Sequence, residues 1–429
     1  MSVFALTFLV AYISLLIMAV VSRPFYGLCA YLMAFYLHPP VRWWGEDLPD
    51  WRWSLTAAVI TLLSIAIKNK GRFEGFRFVE TKVFLVFAIF VWIQLLWALN
   101  VKIHLQYAEQ VINFLVLIFL IQGSVRDEND LRAFVIIAMI GCSYFGYLGM
   151  TRLGGGRLNG IGGPSIESAN QMSQHVAAIL FAGAYLMLAK HRRFWHYLLL
   201  GLLLAVLVKT IVMAGSRGVY VAIGLTGVLM LLFSPKRIRR KLYILAGISI
   251  VLASIEFGGA LFNRFDTVAL DEYGEVVDLS ARSRIYIAEA QLIMFKDAFL
   301  LGHGHQGTLI LSPTYIPEEF LTTITTSEQA GRASHNFVMS LLVDHGLIGA
   351  GLYLFIIIRC LMHLPKLIKM DVREDQQTLH LLVIGLCMGL LCLMLAGMTS
   401  DHKNAETAIW FFALIPFYMS KLKEKLNVN

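Results

Sequence analysis

The sequence predicts an all-α membrane protein that crosses the bilayer many times. Two observations support this class: 58% of the 429 residues are apolar while only 15% are charged, and the apolar residues form long, separate segments without the alternation of a β-barrel. A third observation is one long polar stretch, 263–336. It divides the chain into transmembrane segments at 1–262, a polar loop at 263–336 and further transmembrane segments at 337–429.

The apolar segments have the length of membrane-spanning helices. A bilayer core takes about 20 helical residues per crossing, and lipid offers no other way to satisfy the backbone. We predict twelve or thirteen crossings, because two of the segments are short. The segments are 3–21, 24–37, 54–68, 82–99, 103–121, 132–150, 171–189, 197–213, 218–233, 242–262, 337–359, 379–398 and 405–420.

The basic residues predict the orientation. Most of the 36 Lys and Arg residues cluster on one side of the alternating segments, which by the positive-inside rule faces the cytoplasm. The 263–336 stretch is therefore predicted to be one large outer loop. Anionic inner-leaflet lipids account for the net charge of +8 without a nucleic-acid partner. The five cysteines show no paired spacing and predict neither disulfides nor zinc.

A tight turn between two predicted spans carries Arg217 at the outer surface. An arginine there either reaches lipid phosphates or binds an anion together with backbone N–H groups that Ser216 and its glycine neighbours leave exposed at a helix start. Lys209, about two turns earlier, adds a charge within the membrane, where ionisable side chains are functional candidates.

Residues 280–301 are predicted to form an amphipathic helix on the outer membrane surface. Glu289 shares a helix face with Arg282 and partly neutralises it, whereas Arg284 has no carboxylate at helical spacing and is the more available anion ligand. The apolar positions at helical spacing are Ile285, Ala288, Leu292, Phe295 and Phe299.

The sequence from Gly302 to Gly307 breaks this helix. His303 and His305 are spaced so that they could ligate a metal, but no carboxylate or cysteine completes a ligand set, so we predict a turn and no metal. His303 is retained as a secondary site candidate. The stretch from here to Gly331 is predicted to be an outer loop or lid.

Ser334, His335 and Asn336 precede the predicted span 337–359. Ser334 is predicted to be the N-cap, which would place His335 in the first helical turn. The positive end of the helix dipole and any nearby arginine disfavour the imidazolium there. His335 is therefore predicted to be neutral and able to accept a proton; a capping-region histidine without further function is the alternative.

Together these residues predict a site for a lipid-linked phosphate or pyrophosphate, because arginine pairs with phosphate oxygens. Arg217 and Arg284, with Arg282 as an alternative, would stabilise the leaving group. His335 would act as general base on an acceptor hydroxyl. No cofactor is predicted. The secondary candidates are Ser216, Asn336, Lys209 and His303.

Three motifs resemble the O-antigen ligase and polymerase superfamily of bacterial envelope glycosyltransferases. They are Ser216-Arg217-Gly218, Arg284-Ile285-Tyr286 followed by Leu301-Gly302-His303-Gly304, and Ser334-His335-Asn336 followed by Gly346-Leu347-Ile348-Gly349. Arg23-Pro24-Phe25 and His38-Pro39-Pro40 also resemble the O-glycosylation ligases of exosortase systems. Tyr286 stands where many members carry tryptophan, and the neighbouring Arg282 leaves two candidates for the family arginine.

The resemblance implies glycan transfer from undecaprenyl pyrophosphate to the lipid A core oligosaccharide, without a metal, at the periplasmic face of the bacterial inner membrane. The matched arginines would bind the pyrophosphate and the matched histidine would lie near the acceptor. An O-antigen polymerase or a protein O-oligosaccharyltransferase would use the same donor.

A transporter of lipid-linked oligosaccharides also fits the composition of the chain. Transporters tend to have repeated halves, interrupted helices and ionisable groups near the membrane midplane. The sequence shows no internal repeat, and its notable charges cluster at the outer edge, which favours an enzyme.

Overall fold

The computed structural model describes residues 1–68, 74–152, 158–163, 165–189, 193–248, 251, 279–318, 321, 323–324 and 330–427. Across these ranges the chain is a bundle of α-helices, so the predicted all-α class is confirmed. The glycine-rich stretch 154–157, the acidic run 271–278 and the side chain of Arg282 lie outside the described residues.

The elements follow the chain in two groups. The first comprises α1 (Val3–Val21), α2 (Phe25–Leu37), α3 (Trp53–Lys68), α4 (Val79–Ile93), α5 (Val101–Ser124), α6 (Glu128–Arg152), α7 (Ala169–Leu188), α8 (Phe194–Ala214), α9 (Arg217–Phe233) and α10 (236–248). The second comprises α11 (Leu279–Asp297), α12 (Gly307–Tyr315), β1 (Thr323–Ile324), β2 (Ala330–Gly331), α13 (Phe337–Leu361), α14 (His363–Lys369), α15 (Gln377–Gly397) and α16 (Glu406–Asn427). The two strands pair antiparallel, with Thr323 opposite Gly331.

The predicted spans coincide with helices, apart from 242–262, which is described only in part. Two of these apolar helices, α3 and α9, are shorter than a typical membrane span. The chain is therefore a polytopic helical membrane protein, and the count of twelve or thirteen crossings stays a prediction. Within the described residues, seven helical segments are long and apolar enough to cross a membrane: Val3–Val21, Val79–Leu96, Val101–Ser124, Glu128–Thr151, Phe194–Ala214, Phe337–Lys369 and Glu374–Gly397.

Helix α15 lies at the centre of the bundle. Its sequence is apolar on every side, as expected for a helix surrounded by protein, and nearly all of its residues are buried. Gly385 and Gly389 let it approach α7 closely, since a Cβ on Gly389 would lie 2.5 Å from the carbonyl oxygen of Ala178. Its end at Gly397 delivers the following loop, 398–405, to the middle of one end of the bundle.

Helix α13, which covers the predicted span 337–359, is interrupted at Gly346. Gly346 has φ 62° and ψ −170°, a conformation that strongly favours glycine. The break frees backbone groups that lipid could not satisfy, and the 299–304 segment pairs with them instead. The bonds run from Leu347 N to Phe299 O (2.8 Å), Ile348 N to Leu300 O (3.2 Å), His303 N to Val343 O (3.0 Å) and Gly304 N to Asp344 O (2.8 Å).

Helix α11 carries two apolar faces rather than one. The predicted face is exposed, with Ile285 at 53% and Leu292 at 44%, as expected for a surface that contacts lipid. Another face, at Ile287 and Met294, is buried against the protein. The helix ends at Asp297, four residues before the predicted end, and α12 occupies part of the stretch predicted to be a loop.

Candidate active site

His335 lies immediately before α13 rather than inside it. Asn336 is the N-cap of α13, because its side-chain oxygen accepts hydrogen bonds from Val338 N (2.9 Å) and Met339 N (3.1 Å). The predicted cap, Ser334, is therefore wrong, and His335 precedes the first helical turn. Asn336, a secondary candidate in the sequence, has its side-chain oxygen engaged in this cap.

Ser334 instead anchors the segment to α11. Its hydroxyl accepts a hydrogen bond from Gln291 Nε2 at 2.9 Å, and the same amide nitrogen lies 3.0 Å from Thr308 Oγ1 in α12. Gln291 is 1% exposed. Because Arg284 lies seven residues earlier on the same face of α11, this anchor turns Arg284 toward His335.

His335 is neutral at pH 7. Burial is the main reason why its pKa falls to about 4, and the positive charges of Arg284 and Arg332 lower it further. The carboxylate of Asp401 acts in the opposite direction. The neutral imidazole agrees with the sequence prediction, which gave the helix dipole and any nearby arginine as causes. The arginines do contribute, but burial, which the sequence analysis did not name, is the main cause. Arg284 and His335 thus belong to one electrostatic cluster.

Arg332 is a member of this cluster that the sequence analysis did not single out. It follows β2, and its backbone N–H donates to Ser312 Oγ at 2.7 Å, which fixes the strand end against α12. Its half-buried side chain acts on His335. Its place depends on the pairing of two-residue strands, for which the sequence offers no clear pattern.

The loop 398–405 contributes a buried ion-pair cluster that the sequence analysis also missed. Lys403 Nζ lies 2.5 Å from Asp344 Oδ2 and 3.1 Å from Asp401 Oδ2, and it donates to Ser340 Oγ. The Ser340 hydroxyl in turn donates to Asp401 Oδ2 at 2.7 Å. Lys403 is 4% and Asp344 0% exposed. We call Ser340, Asp344, Asp401 and Lys403 the ion-pair cluster.

Lys403 is charged despite its burial. Burial alone would lower its pKa, but the carboxylates of Asp344 and Asp401 offset this and raise the pKa above its ordinary value. Asp344 also accepts hydrogen bonds from the backbone N–H groups of Gln306 (3.0 Å) and Gly307 (2.9 Å). The ion pair therefore ties α13, the loop 398–405 and the 302–307 turn together.

The histidines of the 302–307 turn support the fold around this cluster. His303 Nε2 lies 2.7 Å from the carbonyl oxygen of Met294, so this secondary candidate is directed at the backbone. His305 stacks on Tyr107, with ring centroids 4.1 Å apart, and its backbone N–H donates to His104 Nδ1. Among the residues described, no group of three His, Cys, Asp or Glu side chains is arranged to hold a metal ion.

Arg217 begins α9, at the predicted turn. Gly215, with φ 63°, ends α8, and the buried side chain of Ser216 forms no capping hydrogen bond. A Cβ on Gly218 would collide with Thr399, so the start of α9 packs directly against the loop 398–405. Arg217 therefore lies beside the loop that carries Asp401. Lys209 lies half-buried within α8.

The comparison with protein families bears directly on these residues. Residues 202–354 match the O-antigen ligase family model, Wzy_C. The relationship to the O-antigen ligase superfamily that the motifs predicted is therefore confirmed. The matched range carries Arg217, Arg284, Arg332, His335 and Asp344, whereas the loop 398–405 lies beyond it. No match was found among curated proteins.

Proposed function

We propose that the protein is an O-antigen ligase that transfers a glycan from undecaprenyl pyrophosphate to the lipid A core at the periplasmic face of the inner membrane. The family match supports a ligase or polymerase type of activity. The observation that supports the reaction itself is the neutral His335 within the field of Arg284 and Arg332.

In the proposed reaction, His335 accepts the proton of an acceptor hydroxyl. The hydroxyl oxygen attacks the anomeric carbon of the donor glycan and forms the new glycosidic bond. The bond from that carbon to the pyrophosphate oxygen breaks, and the electron pair leaves on undecaprenyl pyrophosphate. Arg284 and Arg217 stabilise the negative charge of this leaving group through bidentate hydrogen bonds.

Donor binding would also strengthen the base. Burial, with a further contribution from the two arginines, holds the pKa of His335 near 4 in the free protein, which makes it a weak proton acceptor. A bound pyrophosphate would neutralise part of the positive field of the arginines and so raise the pKa of His335. The histidine would thus be a stronger base with the donor in place than in the free protein.

The alternatives differ mainly in acceptor. A polymerase would use the growing glycan, and a protein O-oligosaccharyltransferase a serine or threonine. The transporter alternative gains two features that the sequence did not reveal, an interrupted helix at Gly346 and the buried pair Asp344–Lys403. The family match and the arginine-flanked neutral histidine favour the enzyme.

The test is a transfer assay with purified protein, undecaprenyl-pyrophosphate-linked glycan and lipid A core. Arg284→Ala should lower kcat by about 10²–10³-fold and His335→Ala by about 10²–10⁴-fold. Lys296→Ala, an exposed cation on the same helix as Arg284, and His196→Gln, an exposed histidine at the start of α8, are the matched controls.

The identity of the acceptor distinguishes the ligase from the alternative functions. Product on lipid A core that is lost in both site variants, but kept in both controls, supports the ligase. Elongation of the lipid-linked glycan without transfer to lipid A identifies a polymerase. Transport of the donor across a vesicle membrane, with no covalent product on any acceptor, would overturn the enzymatic proposal.

A further inference from the structure

A cavity of ≈ 760 Å³ lies outside the candidate active site, between α2, α3, α5 and the start of α16. Its volume falls in the range of small-molecule binding sites. The aliphatic part of its wall comes from α3 and α5, including Val59, Leu62 and Leu120. Its mouth carries Trp51 and Arg52.

The cavity has the depth of a single membrane leaflet. Along α3 it extends from Trp53 to Leu62, nine residue-to-residue steps, or roughly 14 Å at the rise of an α-helix. This is about half of a hydrocarbon core of roughly 30 Å. Leu55 and Val59, at its edge, are 50% and 46% exposed, so the opening faces the lipid. A hydrocarbon chain from the adjoining leaflet can therefore enter from the side.

Polar groups set this cavity apart from a simple lipid-facing groove. Glu406 lines it, and Tyr31 Oη donates to Glu406 Oε2 at 3.0 Å. The amide side chain of Asn113 lines it as well. An aliphatic tail makes no use of a carboxyl and an amide. Tyr31 already donates to one oxygen of Glu406, but the carboxyl can accept further hydrogen bonds, and an amide in an apolar wall is costly unless it bonds to something. The occupant should therefore carry hydrogen-bonding groups close to its chain.

The cavity adjoins the loop that carries the ion-pair cluster. Gln110, one turn from Asn113 on α5, donates to the carbonyl oxygen of Asn404 at 3.2 Å. The loop thus passes from Thr399, beside the start of α9 and Arg217, to Asn404, beside the cavity. The proposed pyrophosphate ligand and the cavity lie at opposite ends of one short loop.

We propose that this cavity binds an acyl chain of the glycolipid acceptor. The chain lies along Val59, Leu62 and Leu120, and a hydroxyl or amide near its head bonds with Glu406 and Asn113. The sugar head lies at the mouth, against Trp51 and Arg52. This proposal rests on the proposed function and adds a separate site that orients the acceptor toward the loop 398–405.

Binding is tested without catalysis by photolabelling. The full-length protein, in nanodiscs of phosphatidylethanolamine and phosphatidylglycerol, is irradiated with lipid A that carries a diazirine in one acyl chain. Labelled peptides should come from α3 and α5, and unlabelled lipid A should suppress the labelling while added phosphatidylglycerol should not. Leu62→Trp fills the cavity and should abolish labelling, whereas Leu63→Trp, at a neighbouring side chain that is 56% exposed, should keep it.

Transfer kinetics give the second readout. Leu62→Trp should raise KM for lipid A core by about tenfold, the effect of leaving two methylene groups unburied. Glu406→Gln should raise it by about 2–12-fold, the effect of losing one hydrogen bond. Neither should change KM for the donor, nor KM for the deacylated core oligosaccharide as acceptor. Equal KM effects on both acceptors would overturn the proposal.

The two proposals fail in different ways. Specific labelling of α3 and α5 without transfer to any acceptor would refute the proposed ligase activity but support the proposed lipid-binding cavity. If transfer to lipid A core occurs but phosphatidylglycerol suppresses the labelling as well as unlabelled lipid A does, the proposed acceptor site is refuted. The proposed ligase activity would then stand without it.

Discussion

Replacing Lys403 with methionine should destabilise the protein strongly, because it leaves the carboxylate of Asp344 buried without its counter-ion. Removing one partner of a buried ion pair typically costs about 3–5 kcal/mol. Asp344 is fully buried and only 2.5 Å from the ammonium group. Methionine retains the length and apolar stem of lysine, so packing changes little.

The structure predicts a loss in the free energy of unfolding at the lower end of that range. Asp344 keeps two backbone donors, Gln306 N and Gly307 N, which stabilise the carboxylate after the lysine is removed. Asp401, the other partner, is 23% exposed and can be solvated by water. We therefore expect a loss of about 3 kcal/mol for Lys403→Met.

The assay is denaturant unfolding of the purified protein in detergent, arranged as a double-mutant cycle. Asp344→Asn combined with Lys403→Met removes both charges, so the double variant should be more stable than Lys403→Met alone. Lys296→Met, at an exposed position on α11, should change stability by less than about 0.5 kcal/mol. A cost below about 1 kcal/mol for Lys403→Met, or a double variant no more stable than this single one, would refute the reasoning.

Three further predictions follow from the geometry. Gly346→Ala should lower the yield of folded protein, because Gly346 has φ 62° and a Cβ there would collide with the backbone of Leu300. Gly351→Ala is the control, since the space around Gly351 is open. Equal yields of the two variants would contradict this prediction. The acid limb of the pH profile of kcat/KM, which reports the free enzyme, should lie near pH 4, since His335 is neutral above its pKa. The acid limb of the pH profile of kcat, which reports the donor-bound enzyme, should lie at higher pH. Acid limbs at the same pH in both profiles would contradict the activation of His335 by the donor. Arg332→Gln removes a positive charge beside His335 and should move the limb of kcat/KM upward; an unchanged limb would exclude that contact.

Several properties of the protein could be predicted from its sequence because they depend on local patterns. Lipid satisfies no backbone group, so each long apolar segment has to be helical, and these segments coincide with the observed helices where the structure describes them. The turn before Arg217 and the helix that carries Arg284 follow from glycine placement and helical spacing. The neutral state of His335 and the effect of a nearby arginine were also predicted, although burial, the main cause, was not.

Other properties were decided by contacts between residues that are distant in the chain. Asp344 and Lys403 are 59 residues apart. In the sequence, Asp344 is an isolated charge within a membrane span and Lys403 a charge in a short loop. Only the packing of the loop 398–405 on α13 pairs them.

The interruption of α13 has the same origin. Gly346 is tolerated inside a continuous helix, and its sequence neighbours favour one. The helix opens there because the 299–304 segment supplies hydrogen-bond partners for the freed groups. The sequence by itself determined where helices form, since local backbone satisfaction in lipid leaves no alternative. The tertiary structure decided where a helix breaks and which charges are buried, since both require partners from elsewhere in the chain.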